Sequence, residues 1–442
     1  MPRPPVTARA LAVKVLRQID QRRGFSNRIL AEHLARHPEL DRRDRGLVTT
    51  LVYGVLRHRA RLDALIDAAA TRPRGLSARV REIARVATFE LRELHHPPHA
   101  AISQALALAR ELDPSGGLAR PLHAILAVID REGDALDARF AAGKPLDVLA
   151  LRWSIPRWLA GRWLARLGPD LALARARALA EPPALELRVD LSRTTAEAVL
   201  AALRESEPGA VVEPVPDQPQ ALRVRGAGDL TRHPLHERGL FSVQALGSQR
   251  AALALAPCPG EHVLDACAGM GTKSLQLAEL MQRRGRLVAA DLSETRLAEH
   301  AALRRRGRLD VPDLQFTSVH ADLAAAAPQP GVDESAFDAV LLDAPCTGLG
   351  NLARHPELRT TAQFADIAAC AELQRRLLDR CRARVRPGGR LVYAVCSLEP
   401  EEGPELVRAA HEAGTFELVR EETWTPESDH TDGFYLALLR PR

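Results

Sequence analysis

Apolar residues recur at helical spacing through the first third of the chain. Leu11, Val15 and Ile19 begin the stripe, and such spacing places apolar side chains on one helix face. The later periodic segments are Leu47–Leu56, Leu62–Ala70, Val80–Leu94, Ala101–Leu112 and Leu118–Ile129. Runs containing proline and glycine separate several of these segments, as expected of turns. The pattern predicts an all-α domain over residues 1–140.

The pattern changes in the next hundred residues. Residues 152–163 form an aromatic and basic helical segment, whose tryptophans are interpreted as core anchors in preference to base-stacking platforms. Alternating apolar residues then predict strands at Leu185–Asp190 and Ala221–Val224, with a helix at Thr195–Glu205 between them. The segment 141–235 is therefore predicted to be a small α/β connector.

Short apolar strands alternate with helices from residue 236 to the end of the chain. The candidate strands are His262–Asp265, Arg286–Asp291, Leu314–His320, Phe337–Asp343 and Arg390–Cys396, followed by an antiparallel pair at Phe416–Thr423 and Gly433–Leu439. Continuous apolar runs are typical of parallel strands covered on both faces. The pattern predicts a doubly wound α/β domain over residues 236–442, and five parallel strands with a closing hairpin resemble the class I (Rossmann-like) methyltransferases.

The composition is that of a soluble multidomain protein. Hydrophobic residues make up 46% of the 442 residues, and no apolar run approaches the ~18–20 residues that span a bilayer. The first residues, Met-Pro-Arg-Pro-Pro, lack the apolar core of a signal peptide. The six cysteines include no Cys-x-x-Cys pair and no zinc-like spacing with histidine. We expect a cytoplasmic protein that acts as a monomer, with no membrane segment and no metal.

Positive charge is concentrated in two parts of the chain, although the net charge is only +5. Residues 1–60 contain thirteen Arg or Lys and five Asp or Glu. The second cluster consists of Arg283, Arg284, Arg286, Arg304, Arg305, Arg306 and Arg308. Taken alone, either cluster is more often a solvated helix face. Two clusters in one chain favour a nucleic-acid backbone as partner.

A glycine-containing turn follows the first strand of the predicted α/β domain. It comprises Cys267, Ala268, Gly269, Met270, Gly271, Thr272 and Lys273, and leads into a predicted helix at Leu275–Met281. Such a turn lets a ligand approach the backbone and the helix N-terminus. Asp291 ends the second strand twenty residues after Gly271, where a carboxylate can accept both ribose hydroxyls.

Asp322, after the third strand, is a candidate for the adenine side of the same ligand. Either aspartate could instead cap a helix. Acidic residues at the ends of three successive strands favour a nucleoside cofactor. NAD is compatible with the fold, but the Gly-x-Gly-x-x-Gly spacing is missing.

Two cysteines follow neighbouring strands of the predicted sheet. Asp343-Ala-Pro-Cys346 ends the fourth strand and Cys396 ends the fifth, so both should face the ligand crevice at the carboxyl edge. Carbon 5 of a cytosine becomes nucleophilic when a thiolate adds to carbon 6, which requires such a cysteine beside the methyl donor. Cys258, Cys370 and Cys381 are interpreted as small core residues.

The segment from Gly239 to Glu402 resembles the Sun/RsmB family of RNA cytosine-C5 methyltransferases. The resemblance rests on the residues 241–249, 265–273, 343–346, 354–357 and 393–402. The N-terminal helices resemble the NusB-like RNA-binding domain, through residues 84–91 and 101–110. Three positions depart from the family pattern: Met270 stands for proline, Val395 for threonine and Asp190 for asparagine.

The resemblance implies a function and a role for each site residue. Cys396 would be the nucleophile, Cys346 would assist product release, and Asp343 would hold the cytosine edge and border the cofactor. S-adenosylmethionine would be bound by residues 267–273, Asp291 and Asp322, and the substrate would be RNA, most directly small-subunit (16S) ribosomal RNA, with an RNA-binding connector. Transfer RNA as substrate, a methyltransferase for protein or small molecules, and a non-catalytic NusB-like RNA-binding factor remain the alternatives.

Overall fold

A computed structural model describes residues 6–22, 24–333 and 336–442. The first five residues, on which the signal-peptide argument rests, and Arg23 of the basic N-terminal segment lie outside the described residues. The chain divides into two compact units. One extends to Pro182 and includes Leu352–Ala362, and the other comprises Pro183–Asn351 and Gln363–Arg442. The predicted domain boundaries at residues 140 and 235 stay predictions.

Helices account for most of the first unit, and in the second unit they connect the strands of two sheets. In chain order they are α1 (Ala8–Arg22), α2 (Ser26–Ala35), α3 (Arg42–Arg57), α4 (Arg59–Ala69), α5 (Ala78–Arg92), α6 (Pro98–Leu112), α7 (Ala119–Ala141), α8 (Pro145–Asp147), α9 (Arg157–Ala180), α10 (Ala196–Ser206), α11 (Pro234–Glu237), α12 (Leu246–Leu255), α13 (Thr272–Leu280), α14 (Glu294–Leu297), α15 (His300–Gly307), α16 (Leu358–Thr361), α17 (Phe364–Arg382), α18 (Pro404–Glu412) and α19 (Pro426–Asp429). None of those that the structure describes is long and apolar enough to cross a bilayer.

The first unit packs its helices around one apolar core. Leu11, Leu51 and Leu62, from α1, α3 and α4, are fully buried in it. Ser77 begins α5 by accepting a hydrogen bond from Val80 N, the arrangement of an N-cap. The all-α prediction for this part of the chain is confirmed.

The residues 352–362, which come from the C-terminal half of the sequence, belong to this first unit. Glu357 accepts hydrogen bonds from Ser26 N at 3.2 Å and from Ser26 Oγ at 2.6 Å. Arg359 in α16 donates to Trp153 O and Leu179 O, both at 2.7 Å. The charged groups in the middle of the segment are therefore hydrogen-bonded within the helical unit.

The second unit begins with a four-stranded antiparallel sheet. Its strands are β1 (Leu185–Val189), β2 (Val211–Val215), β3 (Gln218–Arg225) and β4 (Phe241–Val243), in the order β2-β3-β1-β4. The sequence pattern predicted β1, β3 and α10. It missed β2, which contains a proline and little alternation, and β4, which has only three residues.

A seven-stranded sheet forms the larger part of the second unit. Its strands are β5 (His262–Ala266), β6 (Gly285–Asp291), β7 (Leu314–His320), β8 (Phe337–Asp343), β9 (Val385–Val395), β10 (Phe416–Trp424) and β11 (Phe434–Pro441), in the order β10-β11-β9-β8-β5-β6-β7. The strands β5 to β9 are parallel, and β11 runs antiparallel to β9 and β10. The predicted doubly wound fold is confirmed.

Alternate residues of β8 enter two different apolar layers. Val340 and Leu342 face one layer and Ala339 and Leu341 face the other, all fully buried. This explains why β8 reads as a continuous apolar run. Because the parallel strands end at one edge, the loops after β5, β6, β7, β8 and β9 meet there.

Candidate active site

The two predicted cysteines meet at the carboxyl edge of the large sheet. Cys346 Sγ lies 3.3 Å from Cys396 Sγ. Two backbone hydrogen bonds align the loop after β8 with the end of β9: Ala344 N donates to Ala394 O at 2.9 Å, and Gly350 N donates to Cys396 O at 3.0 Å. A Cβ on Gly350 would lie 2.9 Å from Cys396 O, so glycine permits this close approach.

The surroundings of Cys346 favour its protonated form. The hydrogen bond to Cys396, together with burial, raises the pKa of Cys346 well above the ordinary thiol value. Cys346 therefore keeps its proton at neutral pH. An S–H group at 3.3 Å can stabilise negative charge that develops on the neighbouring sulfur during a reaction.

Lys273 forms an ion pair with Asp343 beside these cysteines. The side chains of the two residues are only 17% and 26% exposed. Burial opposes the charge on Lys273, but the carboxylate of Asp343 outweighs it and raises the pKa of the ammonium group, to which Cys396 also contributes. A permanent cation thus stands near the candidate nucleophile.

The glycine-containing turn after β5 is held by the end of β6. Gly269 N donates to Asp291 Oδ2 at 2.8 Å, and Ala268 N donates to Ala290 O at 2.9 Å. Gly269 and Gly271 have φ angles of 59° and 83°, which glycine adopts without strain. A Cβ on Gly269 would meet no atom within 4 Å. The open space beside this backbone fits a bound nucleoside cofactor.

Asp291 is buried at the end of β6, and its other oxygen accepts a hydrogen bond from Ser293 N at 2.8 Å. Ser293, and not Asp291, caps α14. Asp322 is exposed, and its carboxylate accepts from Ala324 N at 3.0 Å. The structure connects the two through Ala321 N, which donates to Asp291 O at 3.1 Å.

His300 supports the same turn and was not predicted from the sequence. It is 2% exposed, with Nε2 2.9 Å from Gly269 O and Nδ1 2.8 Å from Ser318 Oγ. Burial lowers the pKa of His300, so the neutral ring donates to the carbonyl oxygen and accepts from the hydroxyl. Its position within an arginine-rich helix, α15, gave no signal of this role.

Asp265, the last acidic residue of β5, is fully buried beneath the turn. Ser274 Oγ donates to its Oδ2 at 2.6 Å, whereas Oδ1 has no hydrogen-bond partner among the described residues. Burial raises the pKa of Asp265 to about 7. The group is thus close to half protonated at neutral pH.

Asp265 is expected to make the stability of the protein fall as pH rises. The unfolded carboxyl loses its proton near pKa 3.8 and the folded one near 7, so the folded state binds more protons between these values. The resulting decrease in the free energy of unfolding begins above about pH 4 and is complete above about pH 7, where it reaches up to about 4 kcal/mol. Thermal unfolding of the protein and of Asp265→Asn should diverge as pH rises. A constant difference in melting temperature would contradict this.

Glu402 forms hydrogen bonds with both segments that contain the cysteines, the loop after β8 and the end of β9. Its carboxylate accepts from Thr347 N at 2.8 Å and from the hydroxyls of Thr347 and Ser397, both at 2.5 Å. Gln374 Nε2 donates to Glu402 Oε1 at 3.1 Å and to Pro345 O at 2.9 Å. Glu402 is fully buried, so the two segments are held to each other by one carboxylate.

Glu402→Ala is expected to lower the rate of methyl transfer about 10–100-fold, because displacing the cysteines by about 1 Å disturbs the reacting geometry. Single-turnover measurements with saturating cofactor and RNA test this. Glu402→Gln, which can still accept from Thr347 N, should recover part of the rate, and Glu405→Ala, an exposed change on α18, should have no effect. Equal rates for Glu402→Ala and the unchanged protein would refute the positioning role.

The other predicted residues divide between site and core. Met270 is 54% exposed at the tip of the turn, and Thr272 and Lys273 begin α13. Cys381 is buried and Cys370 is half-buried, but Cys258 is exposed. The core interpretation of Cys258 was wrong, because the turn that leads into β5 leaves its side chain in solvent. No group of potential metal ligands occurs within the described ranges.

Three family models match successive parts of the chain. The model of the NusB family matches residues 6–119, and a ferredoxin-like domain of RsmF/B-like methyltransferases matches residues 155–231. The model described as 16S rRNA methyltransferase RsmB/F matches residues 252–440. The last match contains all of the predicted site residues.

Curated relatives are similar in sequence to this chain over almost its whole length. The probable ribosomal RNA small subunit methyltransferase B of Bacillus subtilis is 30% identical, over 91% of this chain and 88% of that protein. The ribosomal RNA small subunit methyltransferase B of Salmonella newport is 31% identical, over 90% of each. Among solved structures, a methyltransferase homologue from Pyrococcus horikoshii is 29% identical, with a TM-score of 0.58 over 67% of this chain and 99% of its own.

Proposed function

The chain belongs to the family of 16S rRNA methyltransferases RsmB/F, and we propose that it methylates carbon 5 of a cytosine in small-subunit ribosomal RNA through a covalent bond between Cys396 and carbon 6. The single observation that carries the mechanism is the 3.3 Å contact between Cys346 Sγ and Cys396 Sγ. Methyl transfer directly to nitrogen or oxygen requires no thiol, whereas this reaction requires one.

Each charged group around the sulfur atoms has a place in the proposed reaction. Cys396 attacks carbon 6 as a thiolate, stabilised by the ammonium of Lys273 and by the S–H of Cys346. The new C–S bond makes carbon 5 nucleophilic. Asp343, which is paired with Lys273, borders the cytosine and holds its polar edge. S-adenosylmethionine, the cofactor of this family, would supply the methyl group that carbon 5 accepts and would leave as S-adenosylhomocysteine.

Release of the product requires two further bonds to break. A base at the site, a side chain or a water molecule, must accept the proton on carbon 5, the electron pair of that C–H bond re-forms the double bond between carbons 5 and 6, and Cys396 departs as a thiolate. Cys346 is the group that assists this step, because its sulfur lies 3.3 Å from the sulfur that must leave. Without Cys346, we expect the adduct to persist.

The target cytosine must be accessible from both faces of its ring. Carbon 6 is covered in a stacked helix, so the enzyme is expected to act on a single-stranded or flipped base. The basic N-terminal segment would then bind the phosphate backbone of the RNA independently of its sequence. Transfer RNA remains a second candidate substrate with the same chemistry.

Base-resolution mapping tests the choice of substrate. Ribosomal and transfer RNA from a strain lacking the gene, and from the parent strain, should be compared by bisulfite sequencing. We expect one or more cytosines of small-subunit ribosomal RNA to lose protection in the deletion strain, and the purified enzyme to restore it. Loss of protection only in transfer RNA would refute the ribosomal assignment, and no loss in either RNA would favour a non-catalytic RNA-binding role.

A further inference from the structure

Five arginines surround a concave pocket of about 530 Å³ in the second unit. The pocket lies near the amino ends of the parallel strands, whereas the candidate active site lies at their carboxyl ends. We call it the arginine pocket, and its lining consists of Arg193, Glu237, Arg238, Leu240, Arg305, Arg306 and Arg308. It brings the segment before β4 and Arg193, four residues after β1, to the end of α15. Glu237 is the only carboxylate among these lining residues.

The backbone of the pocket is fixed before any ligand arrives. Arg193 donates hydrogen bonds to Arg238 O at 2.6 Å and to Gly239 O at 3.1 Å. Gly239 has a φ of 69°, and a Cβ there would lie 2.1 Å from Arg306 O. Glycine thus allows the two segments to touch, and Arg193 holds them together. A rigid site binds its ligand without the cost of ordering a loop.

The positive charge in the pocket is only partly balanced within the protein: Arg193 lies 3.8 Å from the carboxylate of Asp190, which also pairs with Arg283. Arg238, Arg305 and Arg308 are exposed, and their guanidinium groups have no hydrogen-bond or ion-pair acceptor among the described residues. Arg306 hydrogen-bonds to His236, whose pKa is lowered to about 4 by burial and by Arg306 itself. This neutral ring adds no negative charge. The excess positive charge favours the binding of an anion.

The arginine pocket lies far from the catalytic cysteines. Arg283, two residues before β6, donates to Gly307 O at 3.1 Å at the end of α15, so the pocket is next to the amino ends of the parallel strands. The cysteines lie at their carboxyl ends. The seven residues of β6 separate these edges by about 20 Å. A ligand here would not occupy the active site.

We propose that the arginine pocket binds a backbone phosphate of the RNA substrate, at a point about 20 Å from the target base. Guanidinium groups donate paired hydrogen bonds that match phosphate oxygens, which makes arginine the preferred residue for such contacts. The proposal rests on the proposed function, because it assigns a second contact to the same RNA. It means that the enzyme recognises an extended or folded RNA and not only the nucleotides around the cytosine.

The test removes the two exposed arginines at the end of α15. Arg305→Ala with Arg308→Ala should raise the Kd for a small-subunit ribosomal RNA transcript at least tenfold at low salt. Loss of this phosphate contact should also make the slope of log K against log salt less steep by about 1. Cofactor affinity and the single-turnover rate at saturating RNA should not change. The matched control is Arg376→Ala with Arg408→Ala, two exposed residues elsewhere with the same loss of charge.

The outcomes separate this proposal from the proposed function. If the unchanged protein methylates the transcript but the Arg305/Arg308 variant binds it with the same Kd and salt slope, the phosphate site is refuted and the enzyme activity stands. An equal effect of the control pair would also refute it, since only net charge would then matter. If the unchanged protein methylates no RNA, the proposed function fails first. Unaltered RNA binding with loss of binding to an acidic protein would assign the pocket to that partner instead.

Discussion

Replacing Cys396 by alanine is expected to lower methyl transfer on the order of 10⁴-fold or more, since the variant lacks the sulfur atom that we propose forms the covalent bond. Carbon 5 of cytosine then stays too weak a nucleophile for the methyl group. Because Cys396 follows the end of β9 and is not part of the glycine-containing turn after β5, its loss should leave cofactor binding intact. The measurements are transfer of a labelled methyl group and the Kd for S-adenosylmethionine.

A second cysteine serves as the matched control for Cys396→Ala. Cys258 is exposed in the turn that leads into β5, at the amino ends of the parallel strands, so Cys258→Ala should retain almost the full rate. Activity of Cys396→Ala within tenfold of the unchanged protein would exclude this residue as the nucleophile. Loss of activity in both variants would indicate a structural effect of removing a thiol.

The replacement Asp343→Asn is expected to have the second largest effect, a loss of about 10²–10³-fold in kcat/KM. It removes the carboxylate that we propose holds the cytosine edge, and it leaves the ammonium of Lys273 without its ion-pair partner. An ammonium that is 17% exposed loses about 1–3 kcal/mol of stabilisation when its partner is neutralised. Steady-state kinetics with RNA and a thermal unfolding curve measure the two effects.

A double variant separates the catalytic from the structural part of this effect. Adding Lys273→Met to Asp343→Asn removes the unpaired charge, so the melting temperature should recover while activity stays low. Recovery of activity together with stability would show that Asp343 acts only by supporting the fold. An unchanged kcat/KM in Asp343→Asn would show that its charge has no part in the reaction.

Much of the fold followed from the spacing of apolar residues, because long periodic segments permit few interpretations. The predicted β7 and β8 have the same bounds as the observed strands. The meeting of Cys346 and Cys396 followed from strand order alone, since parallel neighbours end at the same edge. The observed strand order and directions confirm the predicted doubly wound topology, including its antiparallel closing pair.

The contacts that sequence reasoning missed are made by polar residues between distant segments. Glu402 and His300 have the ordinary surroundings of surface residues in the sequence, yet both are buried and hydrogen-bonded to the site. The place of residues 352–362 in the helical unit depends on Glu357 and Ser26, which are 331 positions apart. No local pattern encodes such pairs, because their partners are decided by the packing of whole elements.

The most direct test of the covalent mechanism is the capture of the adduct in the variant Cys346→Ala. This variant should form a protein–RNA complex that survives denaturing electrophoresis, in the presence of the substrate RNA and S-adenosylmethionine. The same band should be absent from Cys396→Ala and from the double variant. Failure of Cys346→Ala to form the complex on an RNA that the unchanged enzyme methylates, or formation of the complex by Cys396→Ala, would contradict the proposed roles of the two cysteines.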